Sequence, residues 1–155
     1  MSTLISAVPS SEEPSFATTL FVRDNCLCLH VQRAARALAR RYDDVLRPVG
    51  LTSGQFSLLM SLNRPEPPNI AQVATLLAMD RTTLTANIKP LERLGLIEVG
   101  RVATDKRQRT LMLTPAGRSA LAAAVPLWQR THDAIENLLR ESGPDRLRTD
   151  LRTLS

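Results

Sequence analysis

Two cysteines (Cys26, Cys28), two histidines (His30, His132) and a run of cations in the second half are the side chains here that could do chemistry. A thiol nucleophile needs a base within hydrogen-bond reach. His30 stands two positions after Cys28, and on one helix that separation turns the side chains about 200° apart. The same angle separates Cys26 from Cys28 and disfavours a disulfide between them. No Gly-rich phosphate loop, carboxylate pair or metal-ligand spacing occurs. The residues therefore predict no catalytic group, no metal and no cofactor, with a Cys/His enzyme as the remote alternative.

The cations are more informative. From Arg81 to Arg118 there are eight basic residues (Arg81, Lys89, Arg93, Arg101, Lys106, Arg107, Arg109, Arg118) against Glu92, Glu98 and Asp105, so this stretch carries the whole net charge of +5. A concentrated positive field suits a polyphosphate partner, because each neutralised phosphate releases condensed counterions. The chemistry predicted is recognition of double-stranded DNA.

The elements that must position these cations can be read from periodicity. The 155 residues suffice for one domain, and a core rich in aliphatics with only 3% aromatics favours packed helices. No apolar run approaches the roughly 20 residues of a membrane span, and no secretory leader is apparent. Two cysteines make no disulfide framework, which fits a reducing cytoplasm.

Residues 1 to 20 lack periodicity and read as a flexible arm. Leu27, Val31, Ala34, Leu38, Tyr42 and Val45 then recur at helical spacing from Asn25 to Arg47, stopped by Pro48 and Gly50. Thr52, Asn69, Asp80 and Thr114 are each placed to cap a further helix. Gly95 ends the helix that Asp80 starts. Leu96 to Val99 and Thr110 to Leu113 form a hairpin with a basic tip, and Thr114-Pro115 opens a long helix to about Leu139, which Pro126 should bend. A last amphipathic helix follows Ser142-Gly143-Pro144. The expected fold is mainly α, six helices with a two-stranded β-wing.

A short helix (69 to 77), a tight turn, a second helix (81 to 94) and a wing (96 to 113) make a winged helix-turn-helix, whose second helix can enter a major groove. On it, Thr82, Thr83 and Thr85 suit phosphates, base edges and thymine methyls, while Arg81 and Lys89 supply charge. At the wing tip an arginine can enter a narrow minor groove, with Asp105 pairing a neighbour such as Arg93.

The run Asp80-Arg81-Thr82-Thr83-Leu84-Thr85, then Leu91-Glu92-Arg93-Leu94-Gly95-Leu96-Ile97, the wing Asp105-Lys106-Arg107 and Leu113-Thr114-Pro115-Ala116-Gly117-Arg118 resembles the MarR family of bacterial regulators. The resemblance covers roughly residues 25 to 140. It implies a triangular homodimer, with 21–50 and 114–155 forming a helical dimerisation region, 51–113 reading DNA, and a pseudo-palindromic operator. It makes Arg107 the minor-groove finger and puts Thr82 and Thr85 in the reading helix, with Arg109 beside the finger. Ala86 replaces an arginine common among relatives, so readout leans on the threonines and Asn87, and Pro90 interrupts the reading helix.

The resemblance further implies a repressor released by a small-molecule effector, aromatic or anionic, in a cleft lined here by Cys28, Val31, Phe56, Met60 and Trp128, with His30 or Arg33 for a carboxylate. Cys28, Arg36 and Tyr42 also fall where the organic-hydroperoxide-sensing branch has its reactive cysteine and neighbours. The second tyrosine of that branch would fall near Ser53. A passive architectural DNA protein is a further alternative, distinguished by salt-sensitive binding without sequence preference.

Overall fold

The computed structural model describes residues 13–101 and 108–155, and the chain divides into two compact units, 1–37 and 38–155. In the first, helix α1 (Phe16–Asn25) starts at Ser15, whose Oγ accepts the Thr18 N–H at 3.2 Å. The arm expected to be aperiodic up to residue 20 is therefore helical from Phe16. The signal was an N-cap serine followed by Phe16, Leu20 and Phe21, and this extra helix makes seven α-helices among the described residues where six were expected. Cys26 leaves the helical region (φ −73°, ψ 107°), and α2 (Leu27–Leu46) starts directly after it. Cys26 is thus a hinge residue between helices. The angular argument that set it against Cys28 on one continuous helix does not apply, although both thiols are free.

In the second unit, a 3-10 turn (Arg47–Val49) and Gly50 with φ 71° end α2. Then come α3 (Ser53–Leu62), α4 (Ile70–Leu76), α5 (Arg81–Arg93), β1 (Ile97–Arg101), β2 (Arg109–Leu113), α6 (Pro115–Leu138) and α7 (Pro144–Thr153). The helices start where the sequence places caps. Thr52 and Asn69 form full capping boxes with Gln55 and Gln72, and Thr114 accepts the Gly117 N–H at 3.0 Å. Each satisfies N–H groups that the first helical turn leaves unpaired. α6 runs unbroken through Pro126, and α5 through Pro90.

Both ends of the helix-turn-helix close on left-handed residues. After α5, Gly95 (φ 68°) lets its N–H reach the Glu92 carbonyl and the Leu96 N–H reach the Leu91 carbonyl. After α4 the same pair of bonds forms around Ala78, from Ala78 N–H to Thr75 and from Met79 N–H to Ala74. This is the bonding of a Schellman cap. Ala78 holds φ 51° without being glycine, which costs a residue with a Cβ about 1–2 kcal/mol.

β1 and β2 pair antiparallel, Ile97 opposite Leu113 and Val99 opposite Leu111. The Leu111 N–H also donates to the Pro68 carbonyl at 2.9 Å, and Asn69 bridges to Thr110, tying the wing base to the start of α4. The core alternates accordingly. Leu84, Ile88 and Leu91 of α5 meet Val73 and Ala74 of α4, Leu58, Leu59 and Leu62 of α3, Ile97, Leu111 and Leu113 of the wing, and Leu121 and Ala124 of α6. Leu84, Leu91 and Leu111 are fully buried, each stabilising the fold by about 1.5–3 kcal/mol on removal from water. At the base of the wing, Thr114 Oγ1 donates to the Gly95 carbonyl at 2.6 Å, and a Cβ on Gly117 would overlap the Leu96 carbonyl oxygen. α6 is thereby packed directly against the α5–β1 turn.

Candidate nucleic-acid interface

α5 is held by its cap. Asp80 accepts the backbone N–H of Thr83 at 2.8 Å and its hydroxyl at 2.6 Å. The hydrogen bond from the Thr83 hydroxyl, then that from its backbone N–H, hold the Asp80 carboxyl below its ordinary range. Burying Leu84, Ile88 and Leu91 turns an arc of about 100° carrying Arg81, Thr82, Thr85 and Lys89 outward. Arg81, Thr82 and Lys89 are exposed and Thr85 is half-buried, its hydroxyl donating to the Arg81 carbonyl at 2.7 Å. Its methyl and lone pairs remain available.

Two of the expected contact residues lie off this arc. Thr83 donates its hydroxyl to Asp80, and the Asn87 amide reaches Met79 Sδ at 3.7 Å. Both brace the turn. Arg107, together with Asp105 and its expected pairing to Arg93, lies outside the described residues.

Arg81 and Thr85 share one cleft, of about 390 Å³, with Asn69, Ile70 and Ala71 at the start of α4 and with Gln108 and Arg109 on the wing. Among the described residues neither Arg81, Lys89 nor Arg109 is ion-paired; the salt bridges lie elsewhere, at Arg23–Asp24, Arg47–Asp44, His132–Glu136 and the Arg148–Glu136–Asp145 group. Two cations on separate elements thus face one polar cleft, neither of them paired with a carboxylate among the described residues. Asn69 and Gln108 are the members sequence reasoning missed: Asn69 reads as a cap alone, and the Asn69–Thr110 bridge together with the Leu111–Pro68 bond brings the start of α4 to the wing.

A second concavity, of about 460 Å³, lies within the second unit and is lined by Phe56, Ser57, Met60, Ser61, Leu76, Leu77, Val125 and Trp128. Phe56, Met60 and Trp128 were expected to share a cleft and do. Cys28 and Val31 are exposed on α2 and belong to the first unit. Trp128 stacks on Phe56 (6.1 Å), Tyr42 (6.5 Å) and His132 (4.6 Å). Burial, then Glu136, pushes the Tyr42 phenol above its ordinary range.

In the first unit, Cys28 Sγ accepts from Gln32 Nε2 at 3.2 Å, and Arg36 donates to Gln32 Oε1 at 3.1 Å. His30 Nδ1 is bonded to the Cys26 carbonyl at 2.9 Å. Among the described residues no group of three metal-ligating side chains gathers, and no helix is long and apolar enough to cross a membrane.

The MarR family model matches residues 49–108, the stretch from the 3-10 turn to the wing. The transcriptional regulator TtmR of Methylorubrum extorquens is 35% identical over 95 residues, which take in 61% of this chain and 49% of that relative. The chain therefore spans about half the length of that regulator. An organic hydroperoxide resistance transcriptional regulator of Bacillus subtilis is 29% identical over 133 residues, 84% of this chain and 88% of the relative. The crystal structure of the M. tuberculosis transcriptional regulator MosR in complex with DNA superposes with a TM-score of 0.77 at 37% identity, covering 84% of this chain and 93% of that one. Agreement of that extent, in sequence and in the winged fold, shows that this chain belongs to the MarR family.

Proposed function

We propose that the protein is a DNA-binding transcriptional regulator, a repressor that occupies a pseudo-palindromic operator as a homodimer and leaves it when a small effector binds. The observation that carries this reading is the cleft joining Arg81 and Thr85 of α5 to Arg109 of the wing, with Thr82 and Lys89 beside it. α5 would lie in the major groove while the wing tracks the adjacent backbone and its Arg107 enters the minor groove. Apolar side chains left exposed on the flanking helices support pairing with a second copy. Phe16, Phe21, Leu27 and Val31 are exposed in the first unit, and Leu147, Leu151 and Leu154 form an i, i+4, i+7 stripe on α7. Such a regulator works in the cytoplasm, with double-stranded DNA, a second copy and an effector as its partners.

The test is fluorescence anisotropy of the DNA upstream of its own coding sequence, titrated with protein at several salt concentrations. Saturable binding that weakens with salt and exceeds binding to scrambled DNA is expected. Equal affinity for both sequences would favour a passive architectural protein, and no binding would refute the reading. Arg107→Ala should weaken operator binding greatly with little change in Tm.

A second reading, regulation by organic hydroperoxide through Cys28, is favoured by one observation: Cys28 is exposed, and its sulfur accepts the amide of Gln32, which is itself bonded to Arg36. Hydroperoxide would then lower operator affinity in the wild type and leave Cys28→Ser unaffected. Equal responses in the two proteins would remove this reading.

A further inference from the structure

We infer that the backbone carbonyl of Ala86, left without its helical partner by Pro90, is a base-reading acceptor on α5 that selects an exocyclic amine, adenine N6 or cytosine N4, at one position of each operator half-site. The inference rests on the regulator reading above, in which α5 enters the major groove, and adds to that helix a specificity-determining group that is not a side chain.

The free acceptor follows from covalent structure. In an α-helix the carbonyl of residue i is bonded by the N–H of residue i+4. For Ala86 that residue is Pro90, which has no N–H to give. α5 nevertheless runs from Arg81 to Arg93 without a break, so it holds a proline in its interior and leaves one carbonyl short of its donor. The polar side chains nearby are engaged elsewhere. The Thr83 hydroxyl donates to Asp80, the Thr85 hydroxyl to the Arg81 carbonyl and the Asn87 amide to Met79 Sδ. The Pro90 ring also crowds the carbonyl four residues before it and pushes that oxygen off the helix axis.

Position decides what this oxygen meets. Ala86 is exposed and stands about 140–160° round the helix from the buried Leu84, Ile88 and Leu91. It lies between Thr82 and Lys89, about 40° from the one and 60° from the other, on the side turned away from the core. A methyl group is the whole side chain there, so the backbone can approach a groove floor that a longer residue would hold off. A carbonyl entering the groove loses its water and has to recover a hydrogen bond. The donors on the major-groove edges are adenine N6 and cytosine N4, whereas guanine O6 and N7 and thymine O4 are acceptors that would repel it. Each base pair carries one such amine, so the carbonyl distinguishes A or C from G or T on the strand it faces.

Pro90→Ala is the direct test, because it restores the N–H that occupies the Ala86 carbonyl and removes a poor helix former, so Tm should rise. Wild type and variant are each used to select binding sites from a randomised duplex library. The wild type should show one symmetric pair of positions at which A or C is preferred about three- to tenfold, the worth of one hydrogen bond. Pro90→Ala should lose that preference. Ala86→Gly removes the methyl and keeps the carbonyl, so the preference should remain even where overall affinity falls. At the selected position, 2-aminopurine for adenine carries the amine to the minor groove, and pyrimidin-2-one for cytosine lacks it. Either base should weaken the wild type by the same three- to tenfold and leave Pro90→Ala almost unaffected. Identical preferences in wild type and Pro90→Ala overturn the proposal, as do amine-free bases that the wild type binds as well as their parents. A preference that survives Pro90→Ala and vanishes in Ala86→Gly assigns it to the methyl group and overturns the carbonyl. Failure of the wild type to enrich any sequence would instead refute the regulator reading itself.

Discussion

The carboxylate of Asp80 is bonded to Thr83 twice, through the backbone N–H at 2.8 Å and through the hydroxyl at 2.6 Å. One threonine of the reading helix is thereby committed to the cap. Asp80→Ala should lower Tm, while Asp80→Asn, an equally good N-cap oxygen, should retain most of the wild-type value in thermal melts. The folded-state pKa of Asp80 lies below its ordinary value, so its contribution is present above the unfolded carboxylate pKa and lost as pH falls through the folded one. The Tm gap between wild type and Asp80→Ala should therefore narrow on acidification below the carboxylate range. A gap that widened there would contradict the assigned bond.

Arg81→Ala and Arg109→Ala, each exposed and away from the core, should leave Tm almost unchanged. Each should weaken operator binding and reduce the slope of log K against log salt by about 0.9, the loss of one phosphate contact. If the two sites share a phosphate across the cleft they line, the double variant will lose less than the two single losses combined.

Ala78 occupies the left-handed position that the Schellman cap of α4 requires. Ala78→Gly removes a strain of about 1–2 kcal/mol and adds about 0.5–1 kcal/mol of unfolded-chain entropy, for a net stabilisation of about 0.5–1 kcal/mol. Urea denaturation measures this directly. Destabilisation by Ala78→Gly would show that the turn is not strained.

Gly117 faces the Leu96 carbonyl at a separation that leaves no room for a methyl group. Gly117→Ala should cost at least about 1–3 kcal/mol by overpacking, and should do so by forcing α6 away from the α5–β1 turn. Amide exchange at Thr114, whose N–H donates to the Leu96 carbonyl at 3.1 Å, should accelerate in that variant.

Leu151 lies mid-stripe on α7, 38% exposed, with Leu147 and Leu154 on the same face. Leu151→Asp should shift sedimentation towards the monomer with a small effect on protomer folding, because the residue lies outside the buried core. A variant that remains dimeric at the same concentration would remove α7 from the proposed pairing surface.

The helix starts at Thr52, Asn69, Asp80 and Thr114 and the turn at Gly95 were legible in the residues alone. Each is a contract among three or four consecutive residues, in which a short side chain satisfies an N–H one turn away or a glycine takes a positive φ. The same locality would have revealed α1 from Ser15 and its apolar followers. The alternation of Leu84, Ile88 and Leu91 likewise announced which side of α5 is buried, and so which cations face outward.

Tertiary structure alone decided which of those outward residues meet. Asn69, Arg81 and Arg109 come from three elements, and only the pairing of Leu111 with Pro68 and of Thr110 with Asn69 sets the wing beside α4 so that they line one cleft. The cavity is the same kind of fact. Phe56, Leu77, Val125 and Trp128 are ordinary helical stripe residues in sequence, and they enclose space only because α3, α4 and α6 pack at angles that leave it unfilled. Local bonds are written in neighbouring residues, whereas cavities and clefts depend on the sum of many distant contacts, which no short stretch of chain encodes.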